Sequence, residues 1–186
     1  MSPPKECHIT GMKTINFPSS FDAAEYFIEI NEKNFLFRFH WDHKNSSYIN
    51  KNKHILFGKI LNNSFPKEYI GHTAEFLTNE ILERIIKEGV YPRTPEDKIN
   101  NLLNYLHSLQ EYEGSNINFP KNEGNQQLAN RLYFKNYQEF TFYLFTLKDK
   151  GLITGLDVST RDGNGLVAIK LTFQGLTKVI ELYENG

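Results

Sequence analysis

The chain has one cysteine, Cys7, among its 186 residues. A single thiol can form no internal disulfide and cannot furnish a multi-cysteine zinc site. Excess charge of either sign is also missing: 21 Lys and Arg stand against 22 Asp and Glu, for a formal net charge of -1. A protein held on DNA mainly through phosphate contacts has a basic balance, so non-specific DNA coating is disfavoured. No apolar run approaches the ~18 residues of a membrane span. The opening Met1-Ser2-Pro3-Pro4-Lys5 lacks the apolar stretch of a signal peptide. A soluble, cytoplasmic protein without a membrane partner is expected. Gly-x-Ser-x-Gly, His-Glu-x-x-His and a phosphate-cradling loop ahead of a helix are all missing. No residue is singled out as catalytic, and no cofactor is implied.

What is present indicates a folded protein. Hydrophobic residues make up 39% of the chain and aromatics 14%, enough for a real core in one domain or two small ones. The pattern predicts an α+β protein in three zones, with no internal repeat: a β-rich module over 1–66, a helical connector over 67–112 and a winged helix over 113–186. In the first zone, Ala24–Ile30 and Asn34–His40 alternate apolar and polar residues with strand period, joined by a turn at Asn31 to Asn34. His54–Leu61 is apolar and fits either a third strand or a short helix. In the second zone, Thr73 can cap a helix bearing Leu77, Ile81, Leu82 and Ile85, stopped by Gly89 and Pro92. Thr94-Pro95-Glu96-Asp97 is a strong helix start, with a capping threonine, a first-turn proline and two acids near the positive helix end. Ile99, Leu102, Leu103 and Leu106 would be its buried stripe.

Three groups could carry chemistry in the first half. His40-Trp41-Asp42-His43 spaces two histidines three apart, but the stretch leaves a strand for a loop. Only Cys7 or His8 could add a third ligand, so a polar strand end is the simpler reading and no metal is expected. Cys7-His8-Ile9-Thr10-Gly11 resembles half of a zinc-ribbon knuckle with Thr10 in the second cysteine position, which leaves a turn supported by packing. Cys7 as a nucleophile would need a nearby base and an oxyanion site, and neither is indicated.

The last third has the order short helix, longer helix, strand, Gly-rich hairpin, strand, closing helix. Gln126–Leu132 and Asn136–Lys150 would be the two helices. Gly151 ends the second of them, Arg161-Asp162-Gly163-Asn164-Gly165 is the hairpin tip, and Leu171-Thr172-Phe173-Gln174-Gly175 opens the last helix. Gly163 and Gly165 suit a turn that needs positive φ. This is the order of a winged helix-turn-helix, in which the second helix commonly enters the major groove and the wing touches the flanking backbone.

A helical wheel places Tyr137, Phe140, Tyr143, Leu144 and Leu147 toward the core. Gln138, Glu139, Phe142, Thr146 and Asp149 lie opposite, with Phe145 at the edge. Two acids and an outward phenylalanine make a poor duplex-reading face. The candidates for duplex contact are Lys135, Asn136, Gln138, Thr141, Lys148 and Arg161. From Pro120 onward, eight Lys and Arg face seven Asp and Glu. An apolar, acidic face suits protein contact instead, through Phe142, Phe145 and Thr146, unless the two phenylalanines pack on the helical zone.

The chain also resembles a group of prokaryotic proteins with an antiphage-defence character. These carry an N-terminal cysteine-containing β module, a segment like Tyr91-Pro92-Arg93-Thr94-Pro95-Glu96-Asp97, and a winged helix with motifs like Leu147-Lys148-Asp149-Lys150-Gly151-Leu152-Ile153 and Leu171-Thr172-Phe173-Gln174-Gly175. A TIR-like or nucleoside deoxyribosyltransferase-like effector often follows. The resemblance implies a regulatory or sensing part whose effector is a separate chain or a further portion of a longer protein. The function expected is a non-catalytic adaptor or sensor acting through protein partners or self-association. The alternative is a winged-helix regulator that binds nucleic acid.

Overall fold

The computed structural model describes residues 6–14, 23–30, 33–40, 46–71, 73–120, 124–160 and 163–184. They form an α+β protein with six α-helices and two two-stranded antiparallel sheets. The chain divides into two compact units, Met1–Val90 and Tyr91–Gly186. The division falls inside the stretch expected to be a connector.

In the first unit, β1 (Ala23–Ile30) pairs with β2 (Lys33–His40) from Ala23 opposite His40 to Ile30 opposite Lys33. Alternation sets the faces. Tyr26, Ile28, Phe37 and Phe39 are buried on one of them, where Tyr26 meets Phe39 edge-on at 5.4 Å and Phe37 meets Phe65 at 5.5 Å. On the other face Glu25 sits directly opposite Arg38 and accepts from its Nε at 3.1 Å. The free edge of β2 is met by a later segment. Leu77 pairs in parallel with Phe39, donating to Arg38 O and accepting from His40 N.

That pairing corrects the expected start of the next helix. Leu77 is spent on the sheet, so α2 (Asn79–Glu88) begins two residues later and is capped by Thr78, not Thr73. The ambiguous apolar run becomes the end of a 15-residue helix, α1 (Ser47–Leu61), capped by the Ser46 hydroxyl. From Ile55 to Leu61 every residue of α1 is buried, including Lys59. Its ammonium donates to Val90 O at 3.4 Å, beyond the end of α2, where a helix gathers negative partial charge.

The second unit opens with α3 (Pro95–Ser108), which starts as expected. Thr94 Oγ1 accepts from Asp97 N at 3.1 Å while Asp97 Oδ2 accepts from Thr94 N at 2.9 Å, a reciprocal capping box. Ile99, Leu102, Leu103 and Leu106 enter one core with Leu128, Phe134, Phe140, Leu144, Leu147, Leu166 and Ile169. Ile117 bridges to Ile169 through an N–H···O bond of 2.8 Å, adding a short third strand contact beside the hairpin. Then come α4 (Asn125–Arg131), α5 (Tyr137–Asp149), β3 (Ile153–Thr160), β4 (Gly163–Leu171) and α6 (Phe173–Glu184).

The two motifs of this unit form one clasp. Gly151 turns the chain out of α5 at φ +68, in the left-handed region glycine tolerates. The Thr172 hydroxyl donates to Gly151 O at 2.6 Å and accepts from Gly175 N at 3.0 Å. Gly175 lies so close to the Leu152 backbone that a Cβ there would sit 2.0 Å from Leu152 O. Threonine and both glycines are thus explained by local structure.

One strained residue lies in the hairpin. The register shifts between Thr154 and Leu156, and opposite that shift Ala168 adopts φ +51, the bulge geometry usually filled by glycine. An L-residue pays roughly 1 kcal/mol for it. Ala168→Gly is therefore expected to raise stability in urea by about 0.5–1 kcal/mol; a loss of stability would show that the alanine methyl contributes more than the strain removes.

Candidate functional site

The face of α5 turned away from the core carries most of the residues singled out in the sequence. Asn136 caps the helix, its Oδ1 accepting from Glu139 N at 2.9 Å. Glu139 does not project as a repelling acid. It binds Lys98 of α3 at 2.5 Å, with side-chain exposures of 18% and 28%, and accepts from Lys135 N at 2.6 Å. The same Lys98 ammonium lies 5.9 Å from the Phe134 ring and 5.7 Å from that of Tyr143, so cation–π attraction adds to the ion pair. This staple joins residues 41 apart.

The expected duplex contacts are largely committed to the fold. Thr141, expected as a candidate duplex contact, is buried, and its hydroxyl donates to Gln138 O at 3.0 Å. Asn136 serves as the cap. Lys148 pairs with Asp157 of β3 at 2.5 Å, an ion pair at the surface between α5 and the hairpin. Lys135 and Gln138 are exposed. Arg161 lies outside the described residues, as does Asp162.

The two phenylalanines separate. Phe142 is 64% exposed and meets Tyr143 edge-on at 5.3 Å. Phe145 packs partly against the core and lines a shallow cleft of about 210 Å³ with Asp157, Val158, Ser159 and Asn164. Thr146 donates to Phe142 O at 2.9 Å and so holds its hydroxyl against the helix backbone. The outward stripe is thus Gln138, Phe142 and Asp149, with Phe145 bordering a cleft. Sequence reasoning passed over a second exposed group: the cross-strand pair Leu156 and Val167, and Phe173, Ile180 and Tyr183 of α6. The one available signal was Phe173, which follows a capping threonine and therefore starts a helix with an aromatic residue.

Comparison with protein-family models, curated proteins and solved structures finds no match to this chain.

In the first unit the Cys7 segment is a tight turn. Gly11 N donates to Cys7 O at 2.7 Å, Cys7 N donates to Met12 O at 2.8 Å, and Glu6 bridges Lys13. Thr10, in the second knuckle position, accepts from Met12 N through its hydroxyl. His8 Nε2 lies 2.6 Å from Asn50 Oδ1 of α1, which ties the turn to that helix. His40 is exposed, while Trp41, Asp42 and His43 lie outside the described residues. Among the described residues no three His, Cys, Asp or Glu side chains cluster closely enough to hold a metal.

Cys7 is buried, and burial pushes its thiol above the ordinary range despite a hydrogen bond with Thr10. Desolvation likewise pushes the Tyr26 phenol up to about 12. Both groups hold their protons more tightly folded than unfolded, so the unfolded chain releases protons first as pH rises. Stability present below the thiol's ordinary range should be lost progressively above about pH 9. Urea midpoints measured from pH 7 to pH 11 should fall, and less steeply for Tyr26→Phe. An equal fall in that variant would dissociate the effect from the phenol.

Proposed function

We propose that residues 91–184 form a winged helix that holds protein and not duplex, and that the chain is a non-catalytic adaptor or sensor. The order α3, the Ile117 strand contact, α4, α5, β3, β4, α6 supports the winged-helix reading. In that arrangement α5 is the reading helix and the β3–β4 hairpin is the wing. One observation carries the functional choice: the centre of the outward face of α5 is Phe142, 64% exposed. Of the lysines around it, Lys135 and Lys150 are exposed at the two ends of α5, and two more are held by acids. Lys98 is engaged with Glu139 and Lys148 with Asp157. An exposed aromatic among polar residues fits the anchor of a protein interface. Phosphate binding needs a row of cations instead.

Set beside the resemblance to defence proteins, this reading makes the partner an effector that the chain controls through α5. The experiment pairs two measurements on the intact chain. Duplex and single-stranded oligonucleotides at about 50 mM salt should show no retention, because a phosphate-driven binder is strongest there. Co-expression with the product of the adjacent gene should give a complex that Phe142→Ser weakens about thirty-fold, the loss typical of an anchor residue. Tight duplex binding with a steep salt dependence, lost in Lys135→Ala, would make the chain a nucleic-acid regulator reading through Lys135 and Gln138.

A further inference from the structure

We propose that α6 is a self-association surface whose occupant is a second copy of this chain, packed antiparallel across a two-fold axis. The surface is distinct from the outward face of α5. Phe173 is 86% exposed, Ile180 57% and Tyr183 65%. At about 100° per residue, Phe173 and Ile180 fall almost on one line of the helix. Leu176 and Tyr183 lie between that line and buried Val179, so the apolar arc runs from the core out to solvent without a polar break.

Beside Phe173 is a groove of about 360 Å³, lined in part by Leu152, Thr177 and Glu181. The patch thus carries a projecting ring and a recess side by side, which is what a self-complementary, closed two-fold contact requires. Antiparallel packing centred between Leu176 and Thr177 would set each Phe173 against Ile180 of the second copy and at the mouth of its groove.

Area and charge both favour this occupant. An aromatic side chain buries roughly 150–250 Å², so the exposed apolar residues offer roughly 400 Å² per copy. Two copies with a polar rim reach about 1,200 Å², the lower end of specific interfaces. Glu184 ends α6, whose last turn has no basic residue and whose first turn has no acid, while Glu181 one turn back lies 3.8 Å from Lys178 of the same helix. An acid at a C-terminal end opposes the helix dipole. In the antiparallel pair Glu184 lies over the N-terminal turn of the other α6, where that dipole favours it.

The test is sedimentation of the intact chain from about 1 to 200 µM. A concentration-dependent monomer–dimer equilibrium is expected. Phe173→Ser, at a position too exposed to disturb the fold, should weaken it about thirty-fold or more. Glu184→Lys should also weaken the dimer, while the melting point of the dilute monomer holds or rises because the dipole conflict is removed. A monomer at every concentration, an open-ended polymer, or a dimer unchanged by Phe173→Ser would each overturn the proposal. Phe142→Ser should leave the dimer intact, so this surface and the effector-binding face of α5 can fail independently.

Discussion

Gly175→Ala should lower the melting point of the Tyr91–Gly186 unit by roughly 12–24 °C. The added Cβ would sit 2.0 Å from Leu152 O and 3.0 Å from Leu152 C. Neither atom can move aside as a flexible side-chain tip would, because Leu152 leads into β3 and its carbonyl already accepts from Thr172 N at 3.1 Å and from Oγ1 at 3.1 Å. The helix must lift off the strand, which strips Val179 from the core. Overpacking costs about 1–3 kcal/mol and occasionally more, and a clash with two fixed backbone atoms takes the upper end, about 3 kcal/mol; each kcal/mol is worth about 4–8 °C in a domain of this size. Gly124→Ala provides the control, since nothing lies within 4 Å of a Cβ there; as the N-cap of α4 it should cost no more than about 1 kcal/mol. Equal melting points for the two variants would refute the close approach seen in the clasp.

Phe134→Ala should cost about 3–5 kcal/mol, the usual loss for a large aromatic cut from a packed core. Phe134 is fully buried, with its ring 5.8 Å from Phe140 and 5.1 Å from Tyr143. It follows the left-handed turn at Tyr133, φ +63, which separates α4 from α5. The ring is therefore the wedge that sets where α5 begins. Phe142→Ser, eight residues further on, removes a ring that is mostly in water and should change stability by no more than about 0.5 kcal/mol. Urea midpoints of the two variants give the ratio directly. Comparable losses would mean that Phe142 packs inward, and the protein-binding reading of α5 would fall with that result.

Some elements could be read from sequence because their signals are local. The capping box at Thr94, the stop at Gly151 and the alternation in β1 and β2 each depend on residues within a few positions of one another. The order of elements after Asn125 was legible for the same reason. Features set by distant neighbours were not. From Ile55 to Leu61, α1 is buried on all sides, so it has no amphipathic period to detect. The start of α2 depends on Leu77 joining β2, which only the fold decides.

The outer face of α5 was legible as a face but not as a chemical surface. Its wheel placed Glu139 outward without showing Lys98 beneath it, and it left Lys148 as an available cation without showing Asp157. Thr141 was a candidate duplex contact, but its hydroxyl turns back onto Gln138 O and the side chain is buried. A wheel gives direction. Pairing and burial depend on which other element passes by; the preference for protein over phosphate already stood on the wheel's acids and outward phenylalanine.

The clasp at Gly151, Thr172 and Gly175 gives the hairpin a property beyond stability. Because β3 and β4 are fastened at their base, the segment between Ile153 and Leu171 is a closed loop whose ends are fixed by other atoms. Lengthening such a loop costs only about 0.6 kcal/mol per doubling. The hairpin's reach can therefore drift through insertions beyond Ser159 and Asn164 while α5 and α6 stay in place. Reach and fold are separate variables in this protein: the hairpin can lengthen without the core being rebuilt.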